Sequence, residues 1–169
     1  MLDFYNCKKV LVTGHTGFKG SWLSRILIKY GASVYGLALA PETDSIMSKT
    51  GDFGFVENEI IDIRDREKLN SYISSHKFDG VFHLAAQPLV RRSYKEPVET
   101  FETNVMGTIN LMNALMVNEA CPWAILITTD KVYQNVEKMA GYREEEPLGG
   151  IDPYSASKAA TEIAISAWQ

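Results

Sequence analysis

Residues 8–30, "KKVLVTGHTGFKGSWLSRILIKY", constrain the fold more than any other stretch. The apolar, β-branched run over 8–14 reads as a buried strand: it is short and ends on glycine. From Phe18 the spacing switches to that of a helix over 18–30. Trp22, Ile26 and Lys29/Tyr30 recur at helical intervals, Leu23 and Leu27 lie beside them, and Gly31 is a suitable C-terminal stop. Between strand and helix stand Gly14, Gly17 and Gly20. Glycine is entropically costly to order, so three at fixed spacing need a reason. A G-x-x-G-x-x-G run directly after a strand and directly into a helix provides one. Gly14 makes the tight turn, Gly17 lets a pyrophosphate approach the backbone, Gly20 permits close helix–strand packing, and the helix N-terminus faces the phosphates. The competing account is a tight turn with no ligand. A Walker A loop is a poor rival, because no Gly-Lys-Ser/Thr closes the run.

The alternation continues along the chain. Strands are expected at 33–39, 56–63, 80–86 and 123–129, and helices at 65–77, 97–120 and from Pro153 onward. In the helix over 65–77, Leu69, Tyr72 and Ile73 point inward. Residues 41–54, 87–97 and most of 130–152 read as loop, and Asp152 is a plausible N-cap with Pro153 just inside the last helix. Five strands separated by helices predict an α/β fold: a Rossmann-like, doubly wound parallel sheet with helices on both faces. The last helical pattern reaches Gln169 with no capping signal. The expectation is therefore one NAD-binding domain over 1–169, truncated.

Bulk properties narrow the function. A net charge of −4 implies no general nucleic-acid surface. No apolar run approaches the ~20 residues of a membrane span, and the first strand follows Met1 too closely for a signal peptide. Cys7 and Cys121 lie far apart with no metal-ligand spacing. A cytoplasmic protein without a metal site is expected.

Several polar residues fall at strand ends, which line the ligand crevice of a parallel sheet. "TTDK" (Thr128, Thr129, Asp130, Lys131) closes the fifth strand, and strand-end capping is its plainer explanation. Tyr154 and Lys158, four residues apart, share a helix face. There an ammonium favours the phenolate, and the pair suits removal of a proton from a sugar hydroxyl as hydride passes to NAD. Alone, Y-x-x-x-K occurs by chance; its weight comes from sharing a chain with the glycine run. Asp62, beside Ile63, either accepts from an adenine amino group or caps the next helix. After the second strand, Glu42 and Asp44 come late for a ribose clamp, and no basic residue awaits a 2′-phosphate, which favours NAD over NADP. Arg91 and Arg92 either meet a diphosphate or are simply solvated. His83, in an apolar strand, reads as core, and His15 has no assignable catalytic partner.

T-G-x-x-G-F-x-G, "LAAQ", "NVMGT" and Y-x-x-x-K together resemble the extended short-chain dehydrogenase/reductase superfamily. "VTGHTGFKGSWL", "HLAAQPLVRRSY", "PVETFETNVMGT", "TTDKVYQN" and "DPYSASK" look like its CDP-glucose 4,6-dehydratase branch. The resemblance implies NAD held by the turn Gly14, His15, Thr16, Gly17, Phe18, Lys19 and Gly20, with adenine near Asp62 and Ile63. It runs Leu84, Ala85, Ala86 and Gln87 along the cofactor, with Asn104 and Thr128 supporting. Thr129, Tyr154 and Lys158 would form the oxidoreductive triad, with Asp130 as acid and Lys131 as C5 base. The implied reaction converts CDP-D-glucose to CDP-4-dehydro-6-deoxy-D-glucose and water, a step toward the dideoxy sugars of bacterial surface polysaccharide. The implied remainder is a substrate domain beyond residue 169, and the implied assembly is a homodimer through the helices at 97–120 and 153–169. A related 4-epimerase or reductase, or a cofactor-binding piece without catalysis, are the alternatives.

Overall fold

Strand β1 (Lys9–Thr13) lies at the centre of the sheet, and its side chains explain why. Val10, Leu11, Val12 and Thr13 are all buried, so both faces of this strand must be covered. Successive residues point to opposite faces. Val10 and Val12 accordingly join Leu27, Val34 and Phe82 in one core layer, while Leu11 joins Leu37, Leu69, Ile73, Val81 and Leu111 in the other. The protein is described here from a computed structural model covering residues 2–51 and 54–168.

Strands β2 (Ser33–Ala38), β3 (Glu57–Ile60), β4 (Gly80–His83) and β5 (Ala124–Leu126) complete a five-stranded sheet of order β3-β2-β1-β4-β5. Every pairing is parallel. The order reverses beside β1, so the crevice between the ends of β1 and β4 is the switch point where such sheets bind ligands. This is the Rossmann-like α/β fold expected. Among the described residues, no helix is long and apolar enough to cross a membrane.

Helix α1 (Phe18–Lys29) follows the glycine turn, α2 (Ile46–Thr50) and α3 (Arg66–Ser74) flank β3, and α4 (Val90–Lys95) and α5 (Pro97–Phe101) follow β4. A π-turn over Glu102–Met106 leads into α6 (Gly107–Val117), and α7 (Pro153–Trp168) ends the described chain.

Three details depart from expectation. Helices α2 and α4 occupy stretches read as loop. Helix α2 has a Ser45 cap accepting from the Ser48 amide at 3.1 Å, a signal drowned by the polar residues around it. The single helix expected over 97–120 is broken by the π-turn, and such turns cluster at functional sites. Strand β3 stops at Ile60, so Asp62 and Ile63 lie in the following loop. On α1 the apolar residues Phe18, Trp22 and Ile26 are exposed, and the buried side is Gly20, Ser21 and Ser24 near the turn, with Leu27 reaching the core beside Val10 and Val12.

Candidate active site

The glycine turn is fixed by contacts that leave no room for a side chain. Gly14 has φ +71°, and a Cβ there would lie 2.6 Å from the Ala85 amide nitrogen. A Cβ on Gly20 would lie 2.1 Å from the Gly14 carbonyl oxygen. The turn therefore packs against the strand-end Leu84–Ala85 on one side and against its own helix on the other. Gly17 differs: it is exposed, and a Cβ on it would meet only the Gly14 oxygen, at 3.3 Å. The outer rim of the turn is thus an open cradle at the start of α1, with Phe18 and Lys19 exposed beside it. A dinucleotide's phosphates fit such a site.

The side chains of His15 and Thr16 face the protein, leaving their backbone to the cradle. The His15 ring is buried against Gly36, with Nε2 2.7 Å from Asn58 Oδ1 and its edge on Phe55. The Thr16 hydroxyl donates to the Leu39 carbonyl at 3.0 Å, tying the turn to the end of β2.

Asp62 is not the cap of α3; Asp65 is, accepting from the Lys68 amide at 3.1 Å. Asp62 instead holds Arg64, whose Nη2 lies 2.6 Å from Oδ2 and whose Nη1 reaches Glu99 at 3.5 Å. Burial pushes the Asp62 carboxyl up, but the Arg64 hydrogen bonds and charge bring it below its ordinary value. Ile63 is buried under Gly107, so its side chain belongs to the core. Arg92 is committed to Glu96 and Glu99, with the latter contact at 3.0 Å, while Arg91 is exposed.

Across the crevice a buried hydrogen-bond network joins β1, β4, the π-turn and α7. The Gln87 amide donates to Asn104 Oδ1 at 2.8 Å, and Asn104 Nδ2 donates to the Gln87 carbonyl at 3.2 Å and to Ser157 Oγ at 2.9 Å. The Ser157 hydroxyl then donates to the Tyr154 carbonyl at 2.7 Å. His83 supplies the second line. The Thr108 hydroxyl donates to the Asn104 carbonyl at 2.7 Å, so its oxygen is free to accept from His83 Nε2 at 2.9 Å. That fixes the tautomer, and His83 Nδ1 accepts from the Thr13 hydroxyl at 2.6 Å. Burial, reinforced by the positive charge of Lys158, pushes His83 down to about 3. It is a neutral core histidine, as its sequence context suggests.

Helix α7 carries the candidate chemistry. Asp152 caps it, accepting from the Ser155 amide at 3.0 Å and hydroxyl at 2.6 Å. Burial pushes the Asp152 carboxyl up, but those bonds and the charge of Lys131 hold it below its ordinary value. Tyr154 is half-buried in the first turn. Lys158 is buried, and its Nζ donates to the Ile127 carbonyl at 3.1 Å. Burial pulls its ammonium down to about 8, against the opposing charge of Glu162.

The end of β5 turns into a 3₁₀ segment, Asp130–Val132. The Thr129 hydroxyl donates to Asp130 Oδ1 at 3.1 Å. Asp130 and Lys131 are exposed and, with Tyr133, Tyr142, Asp152 and Ser155, line a cleft of about 330 Å³. Asp130, Lys131 and the first turn of α7 thus share one cleft at the C-terminal end of the parallel sheet, the end that also carries the glycine turn, while Thr129, Tyr154 and Lys158 are not part of its lining. Sequence reasoning missed Thr108, Ser157, Thr161 and Glu162. The signal available was a polar i, i+4 stripe (157, 161) on an otherwise apolar helix.

Comparison with known proteins supplies names for this arrangement. Residues 11–169 match the family described as GDP-mannose 4,6 dehydratase. The CDP-glucose 4,6-dehydratase of Salmonella typhimurium is 49% identical over 168 residues, covering 99% of this chain and 47% of that protein. The CDP-paratose 2-epimerase of Salmonella typhi is 33% identical, covering 91% of this chain and 51% of that protein. Among solved structures, the Thermus thermophilus UDP-glucose 4-epimerase in complex with NAD superposes with TM-score 0.80 at 31% identity, over 95% of this chain and 50% of that one. The chain thus spans about half the length of the curated relatives it matches.

Proposed function

This chain belongs to the GDP-mannose 4,6 dehydratase family, and we propose that it is the cofactor-binding half of an NAD-dependent enzyme that converts CDP-D-glucose to CDP-4-dehydro-6-deoxy-D-glucose and water. The observation that carries this reading is Asp130, which accepts from the Thr129 hydroxyl and lines the cleft at the start of α7. An epimerase keeps the tyrosine and lysine but has no step that expels the 6-hydroxyl. The 49% identity to the Salmonella typhimurium CDP-glucose 4,6-dehydratase favours the same choice.

The cradle fits NAD. Its wall is too tight for any Cβ at Gly14 or Gly20, its rim is open at Gly17, and it opens onto the N-terminus of α1. Gly14 to Gly20 would hold the diphosphate, with Asp62 toward the adenine and Leu84 to Gln87 along the cofactor. NAD, when bound, supplies an acceptor for the hydride of sugar C4 and returns that hydride to C6. Tyr154 takes the proton of the 4-hydroxyl, and the Lys158 charge favours the phenolate that must form. Thr129 hydrogen-bonds the same sugar oxygen. The 4-ketone acidifies the C5 hydrogen, and Asp130 protonates the 6-hydroxyl so that it leaves as water. Lys131 takes the C5 proton and gives it back to C5 when hydride has reached C6. It is exposed in this chain, so it would act only once substrate and the remaining polypeptide bury it and favour the neutral amine.

Homodimerisation is supported by an apolar groove of about 430 Å³ lined by Pro97, Val98, Phe101 and Met106. It lies on α5 and the π-turn, both packed against α7.

The decisive variant is Asp130→Asn in the full-length protein. It keeps the shape and cannot deliver a proton. With CDP-glucose it should oxidise C4 yet release little 6-deoxy product; undiminished 6-deoxy product would remove Asp130 from the acid role.

A further inference from the structure

Two consecutive residues at the end of β5 hold two charged side chains of α7. The Ile127 carbonyl accepts from Lys158 Nζ at 3.1 Å, and the Thr128 hydroxyl donates to Glu162 Oε1. Lys158 and Glu162 are one helical turn apart, on one face. Lys158 is only 4% exposed. A bare ammonium is costly there, and a carbonyl dipole is a weak substitute for lost water. A strand-end hydroxyl that fixes a carboxylate one turn from a buried lysine is a specific arrangement. A helix surface with no task would leave Glu162 turned to solvent.

We propose that Glu162 is a positioning residue for Lys158: anchored by Thr128 and one helical turn from the lysine, its carboxylate keeps the buried ammonium charged. The proposal rests on the assignment of Lys158 as partner of Tyr154 given above. It also gives Thr128 a role distinct from cofactor contact.

The surrounding groups leave Glu162 as the counter-charge. From β4 comes His83, which is neutral. The 3₁₀ turn contributes Asp130 and Lys131, both exposed to water. On α4 and α5, Arg92, Glu96 and Glu99 pair with one another, and Arg91 and Lys95 are exposed; on the π-turn, Glu102 reaches Arg64. On α7 itself stand Tyr154 and Glu162. Burial lowers Lys158 to about 8, and Glu162 is the influence acting the other way.

The test is direct titration of Lys158 by NMR of its labelled side chain in the full-length protein, assigned with Lys158→Arg. Glu162→Gln should lower the midpoint by about one pH unit, the lower end of what a nearby opposite charge does. Thr128→Val, which keeps the carboxylate and removes its anchor, should shift it the same way by less, and Glu162→Asp should restore part of the wild-type value. Thr128→Val also carries the test if Glu162→Gln fails to fold. A midpoint unmoved by loss of the Glu162 charge, or raised by Thr128→Val, would overturn the proposal. The pH–rate profile with CDP-glucose separates the two assignments. If its alkaline limb follows the Lys158 midpoint, both stand. If the midpoint moves and the limb does not, the Glu162–Lys158 coupling stands and the catalytic role of Lys158 falls.

Discussion

At the glycine turn, position is enforced by atoms that cannot be displaced. The Gly14 and Gly20 backbones touch β4 and their own helix at distances no Cβ survives. Across the crevice, Tyr154 and Lys158 are held by exchangeable bonds: Asn104 to Ser157, Thr108 to the Asn104 carbonyl, Lys158 to Ile127. The first region is steric and tolerates no substitution at two of its glycines. The second is electrostatic, built from neutral His83, buried Lys158 and partly buried Glu162, and its behaviour depends on protons. A binding site needs only shape, but a site that moves a proton needs groups whose ionisation the surroundings control. Mutations in the two regions should therefore fail differently.

The largest contrast comes from Tyr154→Phe in the full-length protein. The electrostatic side should lose roughly two to four orders of magnitude in turnover, the usual scale for a positioned acid–base group. NAD affinity, set by the steric side, should change little. Near-normal formation of reduced cofactor in a single turnover would break the division.

Next in size is an acid effect confined to the electrostatic side. His83 titrates near 3 in the folded chain against 6.5 when free. Between those values only the unfolded chain takes up the proton. Its contribution to stability is thus intact above about pH 6.5 and lost as pH falls toward 3. Denaturant unfolding of wild type and His83→Gln, at neutral and mildly acid pH, should show a shallower loss in the variant. Parallel losses would mean that His83 is protonated in the native state.

The steric side divides within itself. Gly14→Ala must place a Cβ against Ala85 at positive φ and should cost about 2–3 kcal/mol of stability. Gly17→Leu meets only the Gly14 oxygen, at 3.3 Å, so the melting temperature should fall less than for Gly14→Ala while NAD binding weakens at least roughly tenfold, about 1.4 kcal/mol. Equal NAD affinity for wild type and Gly17→Leu by calorimetry would remove the cradle.

The two regions were also unequally legible in the sequence. Gly14, Gly17 and Gly20 between a strand and a helix state their geometry outright, because glycine at that spacing has few other uses. Capping by Asp152 was legible for the same local reason. The network at Asn104 was not. Its partners are Gln87, Thr108, Ser157 and Thr161, whose hydroxyl donates to the Asn104 carbonyl at 3.0 Å, with His83 behind Thr108; they lie on separate elements, and only the sheet order and the π-turn bring them together. Asp62 was ambiguous. Its place before a helix left a cap and an adenine contact equally open; Asp65 is the cap, and Asp62 holds Arg64. The break within 97–120 was hidden because α5, the π-turn and α6 follow one another with no intervening loop, so no turn residues mark it.

One measurement tests the central claim most directly: product analysis after incubating the full-length protein with NAD and CDP-glucose. Dehydration by Asp130 at the crevice predicts CDP-4-dehydro-6-deoxy-glucose, with the 6-hydroxyl lost and a hydrogen from C4 found at C6. A C4 epimer with its 6-hydroxyl intact would contradict the account.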